Sequence, residues 1–235
     1  MTSSYPPSAF PRVKRVGSFQ ELVTTPFAGG VNALCWERAL PGDFAEIVDR
    51  LAAADGITTL DEEFLRTLPV SAAGRVAIEI LVEDQRLLRD HGLQPSLDLI
   101  RGYPRDEHPA VVRTDVYSFH ADSATEAADT YLCTYYGPTS EGVPNEDVQR
   151  RVDIPAIRAE LLKLHGGADD AAFREFLAEH CYDLHYAPLP HARVFSFGLG
   201  NLWRIAIATP DSPVPPCIHR APETTPGQPR LLLIS

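Results

Sequence analysis

The chain has 235 residues, 44% of them apolar and 23% charged, enough to bury a sizeable core and too apolar for a disordered segment. Its formal net charge of -11 opposes complexes driven by phosphate or anionic lipid charge, so neither nucleic acid nor a membrane is an expected partner. No stretch approaches about 18 uninterrupted apolar residues and the opening residues lack the apolar core of a signal peptide, which points to a cytoplasmic protein.

The first sixteen residues, Pro- and Ser-rich with Arg12, Lys14 and Arg15 as the one basic cluster, read as a flexible arm ahead of a single domain over 17–235. Next comes a helical region. Phe44, Ile47, Val48 and Leu51 recur at helical spacing over 43–54, with "DG" as the stop. A short helix is expected around 61–68 and a longer one over 72–91, with Ala77, Ile80, Leu81, Leu87 and Leu88 on one side and Gly92 at its end. Beyond it the rhythm becomes that of strands, in "LDLIRGY", "AVVRTDVYSFHAD", "TYLCTYYG", "ARVFSFG", "LWRIAIAT", "PCIHRA" and "RLLLIS", interrupted by a helical pair over about 155–165 and 168–181. Many short strands with Gly/Pro turns predict a mainly β fold with flanking helices: a double-sheet jelly roll under a helical N-terminal layer, with a helical insert. Cys35, Cys133, Cys181 and Cys217 are too scattered for a zinc knuckle or a disulfide frame and read as free, mostly buried thiols.

Chemistry concentrates at His120-x-Asp122, at the close of the "AVVRTDVYSFHAD" run. Alternation places Thr114, Val116, Ser118 and His120 on one face, as an inward barrel residue requires, and Arg113 and Tyr117 on the other. Two imidazoles and a carboxylate can hold a metal from one side and leave positions open. The second imidazole is found late, at His219 in "PCIHRA". Arg230 then opens the last apolar run, where its planar fork could clamp a carboxylate. Taken alone, His120 and Asp122 also suit a hydrogen-bonded pair at a strand end, and Arg230 a surface position.

His120, Asp122, His219 and Arg230, with "CTYYGPTSEGVPN" and "IHRAP" between and around them, make the chain from about residue 110 onward resemble the Fe(II)/2-oxoglutarate-dependent dioxygenase superfamily, a bacterial branch of it most closely. The resemblance implies that His120, Asp122 and His219 hold Fe(II), that 2-oxoglutarate chelates the metal through its keto acid end, and that Arg230 binds its far carboxylate. O2 would take the remaining position, and succinate and CO2 would be the co-products. Many members carry a Ser or Thr two residues after that arginine; here the position is Leu232, so a hydroxyl must come from another strand, with Tyr131 or Thr134 as the candidates. The presence of Asp122 favours hydroxylation, or a related oxidation, over halogenation.

Arg113, Tyr117, Asn145 and Arg220 are substrate-contact candidates by nearness in sequence. The substrate itself reads as a free small molecule such as an amino acid or biosynthetic intermediate. Glu179, His180 and His185 form a rival cluster, in which His180 falls in helical register with Phe173, Phe176 and Leu177 and reads as a packed residue. His91, His108, His165 and His191 flank turns or helix ends. A second functional reading is a metal-binding β-barrel, a sensor or binding protein, that turns nothing over and needs no 2-oxoglutarate.

Overall fold

A computed structural model describes residues 10–51, 55–105, 111–223 and 227–235. It contains strands β1 (Val13–Val16), β2 (Ala33–Trp36), β3 (Ile57–Thr59), β4 (Ser96–Ile100), β5 (Phe119–His120), β6 (Asp129–Tyr136), β7 (Glu141–Val143), β8 (Val148–Arg150), β9 (His185–Pro188), β10 (Phe195–Ser196), β11 (Leu202–Ala206), β12 (Ile218–Arg220) and β13 (Arg230–Ile234). Six α-helices accompany them: α1 (Phe19–Thr24), α2 (Phe44–Arg50), α3 (Glu62–Thr67), α4 (Ala72–Asp90), α5 (Pro155–His165) and α6 (Ala171–Glu179). The chain is therefore mixed α and β rather than mainly β.

Local chemistry starts the helices. The side chains of Asp43, Asp61, Ser71 and Asp170 accept backbone N–H bonds at the first turns of α2, α3, α4 and α6, the role for which short polar side chains are preferred at those positions. In α5 the first residue is Pro155, and Gly166 ends it at a φ of 75°, a left-handed turn that glycine adopts without strain. The buried side of α4 carries Ala77, Ile78, Leu81, Val82, Gln85 and Leu88. It is rotated from the expected face, leaving Ile80 and Leu87 at its margin.

The strands form a seven-stranded sheet in the order β1-β2-β11-β6-β13-β4-β3 and a six-stranded sheet in the order β10-β7-β12-β5-β9-β8. Among the described residues these strands pair antiparallel except β1 with β2. Alternation along the large sheet separates two cores. Leu34, Tyr131, Cys133, Tyr135, Leu231 and Leu233 face α1 to α4, while Cys35, Leu132, Trp203, Ile205 and Leu232 face the other way and pack with Phe195, Phe197 and Cys217. This second core lies between the sheets. A separate cluster of Val112, Val152, Leu161, Phe173 and Leu177 seats α5 and α6.

Two expectations are corrected. The described part of the supposed arm is docked: Phe10 is buried, Val13–Val16 is the edge strand β1, and Arg12 pairs with Glu146; residues 1–9 lie outside the described residues. The run up to His120 is not one long strand either. Asp115 makes a turn, its carboxylate and carbonyl accepting from the N–H groups of Tyr117 and Ser118, and only Phe119–His120 pairs as a strand. Among the described residues no helix is long and apolar enough to cross a membrane.

Candidate metal centre

β5 lies between β12 and β9, and His120 is the cross-strand partner of His219 on one side and of His185 on the other. Directly opposed residues project from the same face, so three imidazoles stand in a row. The His120 and His219 ring centres are 4.6 Å apart, and His219 lies 6.4 Å from Phe197 of the inter-sheet core. The row faces the seven-stranded sheet.

Asp122 follows where the strand has ended. Its carbonyl accepts from the Ala208 N–H, and Thr130 Oγ1 donates to Oδ2 at 2.6 Å. The carboxylate is thereby turned back to the imidazoles, with Oδ1 at 3.6 Å from His120 Nε2 and Oδ2 at 3.7 Å from His219 Nε2. One ligand atom from each of the three residues lies within 4.8 Å of the others.

The donor set fits a metal in detail. His120 Nδ1 meets the Ser118 carbonyl at 2.8 Å and His219 Nδ1 meets the Cys217 carbonyl at 3.5 Å. A carbonyl only accepts, so in the neutral ring each Nδ1 carries the proton and each Nε2 presents its lone pair to the centre. Burial, and after it the neighbouring His219, push His120 down to about 4. Burial acts to raise Asp122, but His219, the Thr130 bond and His120 outweigh it and hold the carboxyl below its ordinary range. At neutral pH His120 and Asp122 are in the deprotonated forms that bind a cation. Two nitrogens and one carboxylate gathered on one side suit iron or another first-row divalent ion.

Arg230 stands on the facing sheet and is 1% exposed. Its guanidinium donates to three hydroxyls: Tyr103 Oη at 3.1 Å, Thr134 Oγ1 at 3.0 Å and Ser140 Oγ at 2.6 Å. Nε–H is buried without a partner, and no carboxylate among the described residues pairs with this cation. Burial accordingly pushes the guanidinium down. Each hydroxyl that accepts from Arg230 still has its own proton to donate. Cation and hydroxyl donors are the groups that suit an anion.

β6 joins the two places. Thr130 and Thr134 share its inner face; the first holds Asp122 and the second holds Arg230. Four strand steps separate them by about 13 Å. Glycines tighten the surroundings: a Cβ on Gly137 would collide with the Pro229 carbonyl just before Arg230, and one on Gly142, opposite His219, would collide with the Phe195 ring.

Other predicted residues fall elsewhere. Tyr131 is on the helix-facing side of β6, in the core with Cys133 and Tyr135, so it cannot reach Arg230; Thr134 does. Arg113 pairs with Asp115. Tyr117 is buried, its Oη accepting from the Tyr103 N–H and its ring 5.8 Å from that of Tyr103, so it supports Tyr103 from behind. Asn145 accepts from Asn32 and donates to the Pro216 carbonyl, tying loops together rather than lining a mouth. Arg220, next to His219 and so on the opposite face of β12, pairs with Glu141 and lies 4.5 Å over Phe119. His180 bonds the Phe176 carbonyl and packs on that ring, and His108 lies outside the described residues.

Thr130, Tyr103 and Ser140 were not expected from the sequence. For Thr130 a signal existed, since it alternates with Leu132 and Thr134; Tyr103 and Ser140 sit in loops, where no period marks them. Comparisons with family models, curated proteins and solved structures find no match to this chain.

Proposed function

We propose that this protein is an Fe(II)/2-oxoglutarate-dependent oxygenase that oxidises, most simply by hydroxylation, a C–H bond of a small molecule, with its two sheets as the halves of a double-stranded β-helix. The observation that carries the reading is Arg230. A guanidinium buried with neutral hydroxyls alone is costly, and a ligand carboxylate removes the cost. That socket lies along β6 from a two-histidine, one-carboxylate cluster, at a separation a dicarboxylate and the two side chains holding it can span.

In this reading His120, Asp122 and His219 hold the iron, and Arg230 with Thr134, Ser140 and Tyr103 grips the distal carboxylate. Thr130 fixes the Asp122 rotamer, and the Ser118 and Cys217 carbonyls fix the two imidazole tautomers. Phe195, Phe197 and Trp203 line the interior with apolar surface, which keeps bulk water from the reacting atoms. When bound, iron and co-substrate supply the oxidising power, and the chain supplies aim and enclosure.

The test is anaerobic addition of Fe(II) and 2-oxoglutarate, which should give the weak visible charge-transfer band of the chelate. His120→Ala and Asp122→Ala should abolish it together with succinate formation in air. Bound metal without that band, or succinate traces identical in wild type and variants, would instead favour a metal-binding barrel.

A further inference from the structure

The row of imidazoles has a third member that the metal does not need. His185 is opposed to His120, its ring centre 5.7 Å away, and is 4% exposed against 7% for His219. It shares their face and enclosure. Yet it is not one of the residues whose ligand atoms gather within 4.8 Å.

Strand order assigns the flanks. Ser140, which holds Arg230, immediately precedes β7; β12, β5 and β9 then follow across the sheet. A ligand stretched between Arg230 and the metal therefore lies over the β7 and β12 side. The β5 and β9 side stays clear of it, and that is where His185 stands. On the same face this flank runs on through Ala187 to Gln149, the cross-strand partner of Ala187. Among the described residues this flank offers an imidazole and a carboxamide, and the next residue of the same parity as Gln149, Arg151, has a buried Nε–H without a partner.

Resting on the oxygenase reading above, we infer that co-substrate and substrate occupy opposite flanks of the metal, and that His185 is a substrate-side contact which stands beside the metal ligands without being one of them. The substrate suited to this flank is a polar molecule held by hydrogen bonds next to its reacting carbon.

The experiment uses the full chain with Co(II), 2-oxoglutarate and nitric oxide as probes. His185→Ala should keep Co(II) affinity within about threefold of wild type, whereas loss of a ligand or of its support costs about tenfold or more. His185→Trp, which fills the β9 flank, should leave 2-oxoglutarate affinity within about threefold, whereas Ser140→Leu, on the β7 flank, should weaken it about tenfold while Co(II) still binds. Nitric oxide added to the Fe(II) and 2-oxoglutarate form reports on the remaining position, and its electron paramagnetic resonance signal should change rhombicity in both His185 variants. A tenfold loss of Co(II) in His185→Ala would make His185 a ligand and overturn the inference. So would a loss of 2-oxoglutarate in His185→Trp matching that in Ser140→Leu, or a nitric oxide signal unmoved by both substitutions. Should His185→Trp fail to fold, His185→Phe carries the same two measurements. If wild type binds Co(II) but never 2-oxoglutarate, the oxygenase reading itself falls, and that result is separate from these.

Discussion

The large sheet buries an arginine on each side, and the two are provided for in opposite ways. On the helix-covered side Arg38 meets both oxygens of Asp84 at 2.7 Å, donates to the Gly200 carbonyl and stacks 4.6 Å over Trp36, while Tyr135 donates to the same carboxylate. On the side facing the second sheet Arg230 has hydroxyls alone. Burial lowers both guanidiniums, but Asp84 more than reverses this for Arg38 and nothing does so for Arg230. The first charge is complete within the fold and fastens α4 to the sheet. In the proposed oxygenase the second is completed from outside by a co-substrate carboxylate, which would separate a structural ion pair from a ligand-binding cation.

Asp84→Ala breaks the contrast most severely, because it strands Arg38 as the counterpart of Arg230 without any socket. Chemical denaturation should show a loss of about 3 to 5 kcal/mol, the same with or without metal and 2-oxoglutarate. Arg230→Ala should cost about 2 to 5 kcal/mol in co-substrate binding, roughly 30-fold or more in affinity, in a titration at saturating Fe(II). Metal binding should hold, and Arg230→Lys should restore only part of the loss, since a point charge replaces a planar fork. Arg230→Met sharpens the sign of the comparison: without ligands it should raise the unfolding free energy by about 1 kcal/mol or more, as replacing a buried charge by an apolar group of similar volume does. A fall of several kcal/mol would mean that the fold already neutralises Arg230. Tyr131→Phe should have the smallest effect, leaving 2-oxoglutarate affinity within about twofold, because the hydroxyl is on the wrong side of β6.

That last case shows what the sequence could and could not tell. Tyr131 and Thr134 are an odd number of residues apart, so one strand cannot present both to the same face; parity alone selects Thr134. Helices α2 to α6 were legible because capping side chains and apolar spacing coincide, as at Asp43 and Ser71, whereas α1, six residues long, was not expected. Strands β1, β2, β3, β7, β8 and β9 went unread since three or four residues carry too little alternation. The residues before His120 failed for another reason: Asp115 satisfies two backbone donors locally, and a run with apolar alternation folded as a turn. His120, Asp122, His219 and Arg230 could be proposed by residue type and order, yet the place of His185 beside His120 depends on β9 pairing with β5, a register that no local pattern encodes.

The position of β13 has a consequence for how the protein is made. Residues 230–234 insert between β6 and β4, so the middle of the large sheet is filled by a segment synthesised long after both neighbours. Until it arrives, β4 and β6 expose ladder edges that can pair wrongly, and the closing contacts span long stretches of chain, a combination that slows folding. Arg230 enters with that same segment. The anion socket and the sheet's last ladder should therefore form in one kinetic step, and in stopped-flow refolding the recovery of 2-oxoglutarate binding should track the slowest phase of sheet formation rather than the earlier appearance of helix.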